Sequence, residues 1–208
     1  MYSTFSKPFK LALGFSLSMA SILFLASYLY TRETVFLWMN HDLGKIADFS
    51  FNGMSYLAEG WIWIPYFIVL FGWYKKDAVF ILLNFLISTL LTQLPKNFIW
   101  NRIARPMASG IPHDQIHTVK GVEMHLWNSF PSGHTATAFT LFFVTVYFFP
   151  KKPVLILGAI YAMACGYSRV YLGQHFPLDL AGGITVAVLT ILLSIYIRKY
   201  EKQAAESI

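Results

Sequence analysis

The chain has 208 residues, 56% of them hydrophobic and 12% charged, with a formal net charge of +6 and a mean hydropathy of +0.53. An ordinary soluble domain carries about twice that charged share, so disorder is excluded and there is too little polar surface to cover a water-soluble core. The length fits a single domain, 1–208, and the lone Cys165 precludes an internal disulfide.

A membrane-spanning helix needs about 20 mostly apolar residues, because the hydrocarbon core is about 30 Å thick. The first such stretch is 11–31. It is too long for a signal-peptide core and no small-x-small cleavage site follows, so it reads as a retained span. Residues 32–55 alternate apolar side chains (Val35, Phe36, Leu37, Met39, Leu43, Ile46) with polar ones. That pattern predicts an amphipathic helix lying in the headgroup region, with a plain solvated connector as the alternative. Residues 56–73 and 78–94 are the second and third spans.

Residues 95–130 form a long connection, and one of this length is functional or disordered. Its apolar residues (Ile111, Ile116, Val122, Met124, Leu126, Trp127) predict a packed loop. His113 and His117 are four apart, a metal-ligand spacing on a helix. The alternative is an ordinary polar loop, and no metal is expected. Lys120, His117 and His125 are instead candidates for contact with a substrate headgroup. Residues 135–149, 153–171 and 178–197 complete six spans, the fourth short unless it begins within Pro131–His134. The predicted fold class is all-α: a polytopic membrane protein of six transmembrane helices, with an interfacial segment (32–55) and an outer active-site loop (95–130).

Nine basic residues (Lys7, Lys10, Lys75, Lys76, Lys151, Lys152, Arg198, Lys199, Lys202) fall on one side of this layout, with Asp77, Glu201 and Glu206. The other side holds seven basic and seven acidic residues. The whole basic excess therefore lies on one face. This is the positive-inside pattern, with both termini cytoplasmic, and it removes a nucleic-acid partner.

The chemistry-bearing residues collect at the opposite ends of the spans. Lys96 closes the third, and Arg105-Pro106 follows. Pro131-Ser132-Gly133-His134 opens the fourth. Ser168-Arg169 closes the fifth; His175 and Asp179 open the sixth around Pro177. Lys96, Arg105 and Arg169 can surround a dianionic phosphate. The helix start at Ser132-Gly133 offers free backbone N–H groups. His134 and His175 supply two imidazoles, enough for a nucleophile and a general acid. Asp179, four residues after His175, can reach its ring N–H. Taken singly, each has a plainer reading: a dipole partner, a helix cap, a snorkelling cation.

Together these residues resemble the type-2 phosphatidic acid phosphatase superfamily of membrane lipid phosphatases. Its PSGH motif stands at Pro131–His134. Its S-R-x5-H-x3-D motif stands at Ser168-Arg169, His175 and Asp179. Its K-x6-R-P motif is matched loosely, with eight residues between Lys96 and Arg105-Pro106. The resemblance implies His175 as nucleophile, forming a phosphohistidine. It implies Asp179 as the group orienting His175, and His134 as general acid and then base. Lys96, Arg105, Ser132, Gly133 and Arg169 would hold the phosphoryl oxygens, and no metal or other cofactor is implied. The longer first spacer leaves Arg102 as a rival to Arg105.

The expected activity is hydrolysis of a phosphorylated lipid at the outer membrane face. Candidate substrates are an isoprenoid diphosphate, phosphatidic acid, phosphatidylglycerol phosphate or a lipid A phosphate. The expected location is the bacterial inner membrane, with the site facing the periplasm. A lipid phosphotransferase is the nearest alternative. A non-catalytic lipid transporter would need ionisable residues in mid-span, and here they gather at one end.

Overall fold

The structure, a computed structural model, describes residues 5–206. Among these residues the chain is all-helical, without strands. Eight α-helices follow in order: α1 (Lys7–Tyr30), α2 (Arg32–Met39), α3 (Lys45–Tyr56), α4 (Trp63–Trp73), α5 (Ala78–Leu94), α6 (Gly133–Phe148), α7 (Lys152–Tyr171) and α8 (Pro177–Glu206).

Local chemistry sets the boundaries. Ser6 accepts a hydrogen bond from Phe9 N and Pro8 lies in the first turn, so α1 starts there. Thr31, at φ 67, turns the chain sharply from α1 into α2. Ser132 caps α6 through Thr135 N at 3.3 Å. Gly173, at φ 67, ends the α7 turn in a conformation that suits glycine. Pro177 then opens α8.

Helices α6 and α8 form the centre, with α1, α5 and α7 packed around them. Phe139, Phe142 and Phe143 of α6 are buried, as are Leu180, Ile184, Ala187 and Ile191 of α8. The α6–α8 approach is close at one place. A Cβ on Gly183 would lie 2.6 Å from Ser132 O and 3.1 Å from Ala136 N. Glycine there lets α8 press against the start of α6, and Ser132 N donates to Asp179 O at 2.9 Å across the seam.

Several polar side chains within the helices turn back on their own backbone, as an apolar environment favours. Asn84 Nδ2 donates to Phe80 O, Thr92 Oγ1 to Ser88 O and Thr140 Oγ1 to Ala136 O. At the basic end of the bundle, Arg198 of α8 pairs with Asp77 at the start of α5.

Helix α1, the Lys75–Ile99 helix, α7 and α8 up to Tyr200 are long and apolar enough to cross a membrane. The pair Lys45–Tyr56 and Gly60–Trp73, bent by 59°, makes a fifth if it is one span. Helix α6 has 16 residues, about 24 Å of helix. Its central place in the bundle leaves it little contact with the surroundings.

Two regions differ in detail from the sequence pattern. The span expected over 56–73 is helical in α4 only from Trp63, after a bend and a 3-10 turn at Gly60–Ile62. Pro65 has no N–H to continue an earlier helix, and it sits in the first turn of a new one. The 32–55 segment is two helices, parted at residues 40–44, because Asn40 is engaged elsewhere. Its Nδ2 donates to Val170 O and Tyr171 O, both at 2.9 Å, and its Oδ1 accepts from His117 N at 2.7 Å. Asn40 thereby ties the end of α7 to the outer loop.

Candidate active site

The ends of α5 and α7 and the beginnings of α6 and α8 converge. Past Leu94 the chain winds into one π-turn, Pro95–Ile99, which buries Lys96. Arg102, at φ 61, breaks the helical path. The next segment then folds back along residues 126–129: Arg105 N donates to Leu126 O, and Ser129 N to Ile103 O. This return absorbs the two extra residues of the first motif. It buries Arg105, whereas Arg102 is exposed. Arg105 Nε donates to Trp127 O at 2.9 Å, and its Nη1 to Gln174 O at 3.1 Å and Gln174 Oε1 at 3.3 Å.

His175 follows Gln174 and is 1% exposed, as is Asp179. His175 Nδ1 lies 3.2 Å from Asp179 Oδ2. The same oxygen accepts from Phe176 N at 2.9 Å and from the Ser129 hydroxyl. A carboxylate here fixes the proton on Nδ1 and leaves the Nε2 lone pair free. Arg169 of α7 is buried and donates to Ser55 Oγ of α3. His134, in the first turn of α6, is half-buried.

Three polar atoms in this cluster are buried without a hydrogen-bond partner among the described residues: His134 Nε2, Arg169 Nε and Asp179 Oδ1. Buried polar atoms are ordinarily paired, so these three leave free hydrogen-bonding capacity in the same cluster as the cations Lys96, Arg105 and Arg169. Burial is the first cause, and the charges of Arg105, Lys96, Arg169 and His134 the next, that push the His175 imidazole well below its ordinary value of 6.5. Burial also lowers Arg105, with Asp179 opposing; a guanidinium keeps its charge nonetheless. The arrangement therefore presents a neutral imidazole ringed by fixed cations, the requirement for attack on a phosphoryl group.

The eight residues singled out from the sequence (Lys96, Arg105, Ser132, Gly133, His134, Arg169, His175 and Asp179) all lie at this end of the bundle. The outer histidines do not gather. His113 begins a 3-10 turn and contacts Met107 O. His125 and Lys120 are exposed. His117 turns to Asp48 instead, with Nε2 at 3.2 Å from Oδ1. Asp42, Asp48 and His117 bring potential ligand atoms within 4.8 Å of one another, but Asp48 Oδ1 is already engaged by His117 and by the Tyr171 hydroxyl at 2.6 Å.

Four residues of the site's surroundings carried no signal in the sequence. Ser129 holds Asp179, Gln174 holds Arg105, Ser55 holds Arg169, and Arg32 lies over Phe176, with Cζ 4.4 Å from the ring centroid.

The sequence model of the PAP2 superfamily matches residues 77–203, which takes in every one of the motif residues. The chain belongs to the PAP2 superfamily. It is 29% identical over 156 residues to phosphatidylglycerophosphatase B of Bacillus subtilis, covering 68% of this chain and 70% of that one. It is 31% identical over 171 residues to lipid A 4'-phosphatase of Porphyromonas gingivalis, covering 77% and 70%. It is 29% identical over 169 residues to undecaprenyl-diphosphatase of Sulfolobus acidocaldarius, covering 76% and 78%. Among solved structures, Aquifex aeolicus LpxE matches with a TM-score of 0.66 and 29% identity, over 77% of this chain and 92% of that one. The Bacillus subtilis PAP2-type phosphatidylglycerolphosphate phosphatase has the same fold, with a TM-score of 0.65 over 94% of this chain and 98% of that one. With its apolar helices, this PAP2 chain is an integral membrane protein, and its curated relatives named above are lipid phosphatases.

Proposed function

We propose that this PAP2 protein hydrolyses a phosphate monoester or diphosphate of a membrane lipid at the outer membrane face, through a phosphohistidine and without a metal. The observation that carries the reading is the buried His175–Asp179 pair, ringed by Lys96, Arg105 and Arg169, with the unpartnered Nε2 of His134 beside it. The lipid class comes from the relatives' activities.

In the first step the Nε2 lone pair of His175 attacks phosphorus. The bond from phosphorus to the lipid-side oxygen breaks, and that oxygen keeps the electron pair and takes a proton from His134. Asp179 holds the Nδ1 proton and offsets the charge formed on the ring. Lys96, Arg105, Arg169, Ser132 and the Gly133 N–H hold the three equatorial oxygens, where charge spreads in the transition state. In the second step His134 takes a proton from water. The water oxygen bonds to phosphorus, the N–P bond breaks, and inorganic phosphate leaves with His175 neutral again.

Six spans with both termini cytoplasmic accord with the basic excess at the end opposite the site. In a bacterial inner membrane the site then faces the periplasm, at headgroup level, where the lipid tails stay in the bilayer. The test is phosphate release by the detergent-purified protein from a panel of lipid mono- and diphosphates. Release that survives EDTA and vanishes in His175→Ala supports the reading. Release abolished by EDTA, or retained by the variant, overturns the mechanism. A transferred phosphoryl group in place of free phosphate makes the protein a phosphotransferase.

A further inference from the structure

A cavity of about 350 Å³ opens beside the site between the outer end of α1, the start of α2 and the start of α8. Its wall is mostly apolar, formed by Phe24, Trp100, Ile103, Phe130 and Leu178. Two charged residues line it: Asp179 and Arg32. Arg32 belongs to none of the three motifs and stands apart from the Lys96–Arg105–Arg169 cluster in the chain, on a different helix.

Its placement is specific. Thr31 adopts φ 67, a conformation that a β-branched residue seldom takes, and this turn sets the direction of α2. Thr31 Oγ1 then accepts from Thr34 N, so the first turn of α2 is held. The Arg32 guanidinium lies over the ring of Phe176, the neighbour of His175. Its Nε pairs with Glu33 Oε1 at 2.7 Å. No protein acceptor takes Nη1 or Nη2 among the described residues, and the side chain is 28% exposed. A cation so fixed presents a two-donor edge suited to a phosphoryl group.

The cavity poses an electrostatic question that this cation answers. Apart from Asp179 and Arg32 the wall is apolar, so an anionic group entering the cavity finds compensation on it only from Arg32. Arg32 is the basic residue on that wall. On the proposed reading, a lipid with a single phosphate would place its dianion among Lys96, Arg105 and Arg169, with only ester and tail in the cavity. A second phosphoryl group on the lipid side of the scissile bond would then lie toward the cavity, where Arg32 is the cation.

We infer that Arg32 recognises a second phosphoryl group of the substrate and so sets a preference for doubly phosphorylated lipids over simple monoesters. The inference rests on the lipid phosphatase reading and deepens it. The second group can be joined directly to the scissile phosphate, as in a polyprenyl diphosphate, or through glycerol, as in phosphatidylglycerophosphate.

The experiment measures kcat/KM for polyprenyl diphosphate, phosphatidylglycerophosphate and phosphatidate in micelles of one composition. The readout is the ratio of each doubly phosphorylated lipid to phosphatidate. Arg32→Gln is expected to lower at least one ratio by about tenfold, mainly through KM, as for loss of one charge-assisted contact. The lipid whose ratio falls identifies the linkage. Arg32→Lys keeps the charge without the fork and is expected to fall between wild type and Arg32→Gln. Glu33→Gln removes the competing carboxylate and is expected to raise the same ratio, a reading that stands even if Arg32→Gln fails to fold. Ratios unchanged in Arg32→Lys and Glu33→Gln, or a wild type that hydrolyses phosphatidate and neither doubly phosphorylated lipid, overturn the inference. A wild type that hydrolyses none of the three instead overturns the reading on which it rests.

Discussion

Gly183→Ala tests how the helix seam governs the chemistry. The added Cβ would lie 2.6 Å from Ser132 O and 2.8 Å from Thr135 Cβ. The first of these is backbone and cannot rotate away. Reaching ordinary contact at 3.4 Å parts α8 from the start of α6 by about 0.8 Å, and a misplacement of that order costs about 100-fold in rate. The seam carries Ser132, Gly133 and His134 on one side and Asp179 on the other, joined by the Ser132 N to Asp179 O bond. In the proposed mechanism the general acid, His134, and the nucleophile, His175, which Asp179 holds, are therefore pulled apart. Overpacking of this kind also costs about 1–3 kcal/mol of stability. The assay is kcat for phosphate release in detergent, with a melting curve on the same preparation. The expected result is a folded protein with a lower melting temperature and kcat reduced by one to two orders of magnitude. A variant with kcat within about twofold of wild type would refute the idea that this contact sets the distance between the two histidines.

Asp179→Asn can keep all three contacts of Oδ2 while removing the charge, because the amide NH2 takes the place of the unpartnered Oδ1. The loss is then a charge-assisted hydrogen bond to the developing imidazolium, about 1.5–3 kcal/mol, and kcat should fall about 10- to 150-fold; kinetics with one lipid phosphate decide it. Arg105→Ala should abolish most turnover, whereas Arg102→Ala, at an exposed position, should leave kcat/KM unchanged. Because burial and the cations hold His175 well below 6.5, its Nε2 remains unprotonated through pH 6.5, and the acid limb of kcat/KM should lie below that value. Lys96→Met removes one of those charges and should move the limb upward in pH, which a pH profile of the free enzyme reads directly.

The sequence pattern reached the ends of α5 exactly where apolar residues 78–94 are bounded by Asp77 and Pro95. It reached the starts of α6 and α8 because Ser132 and Pro177 carry their own capping chemistry. The motif residues were legible for the same reason: their spacing is short and sits at helix ends. Pro106 favoured Arg105 over Arg102 in the sequence, but the spacing left both open, because the placement of Arg105 is not a local matter. It depends on a backbone return at residues 103–105 against 126–129, a contact between distant parts of the loop. Ser129, Gln174 and Ser55 were missed on similar grounds, since each acts by holding a side chain far away in the chain. The division of 32–55 into α2 and α3 follows from Asn40 bonding to the end of α7, which local amphipathicity does not reveal.

A covalent bond between His175 and phosphorus is what sets the proposed mechanism apart, and capturing it is the most direct measurement. The protein is mixed with a lipid labelled in the scissile phosphate and quenched in alkali within the first turnover. The expected result is label bound to protein, stable to base and lost in acid, mapping to His175 and absent from His175→Ala. Turnover that proceeds with no protein-bound label at any quench time, or with label on another residue, would contradict it.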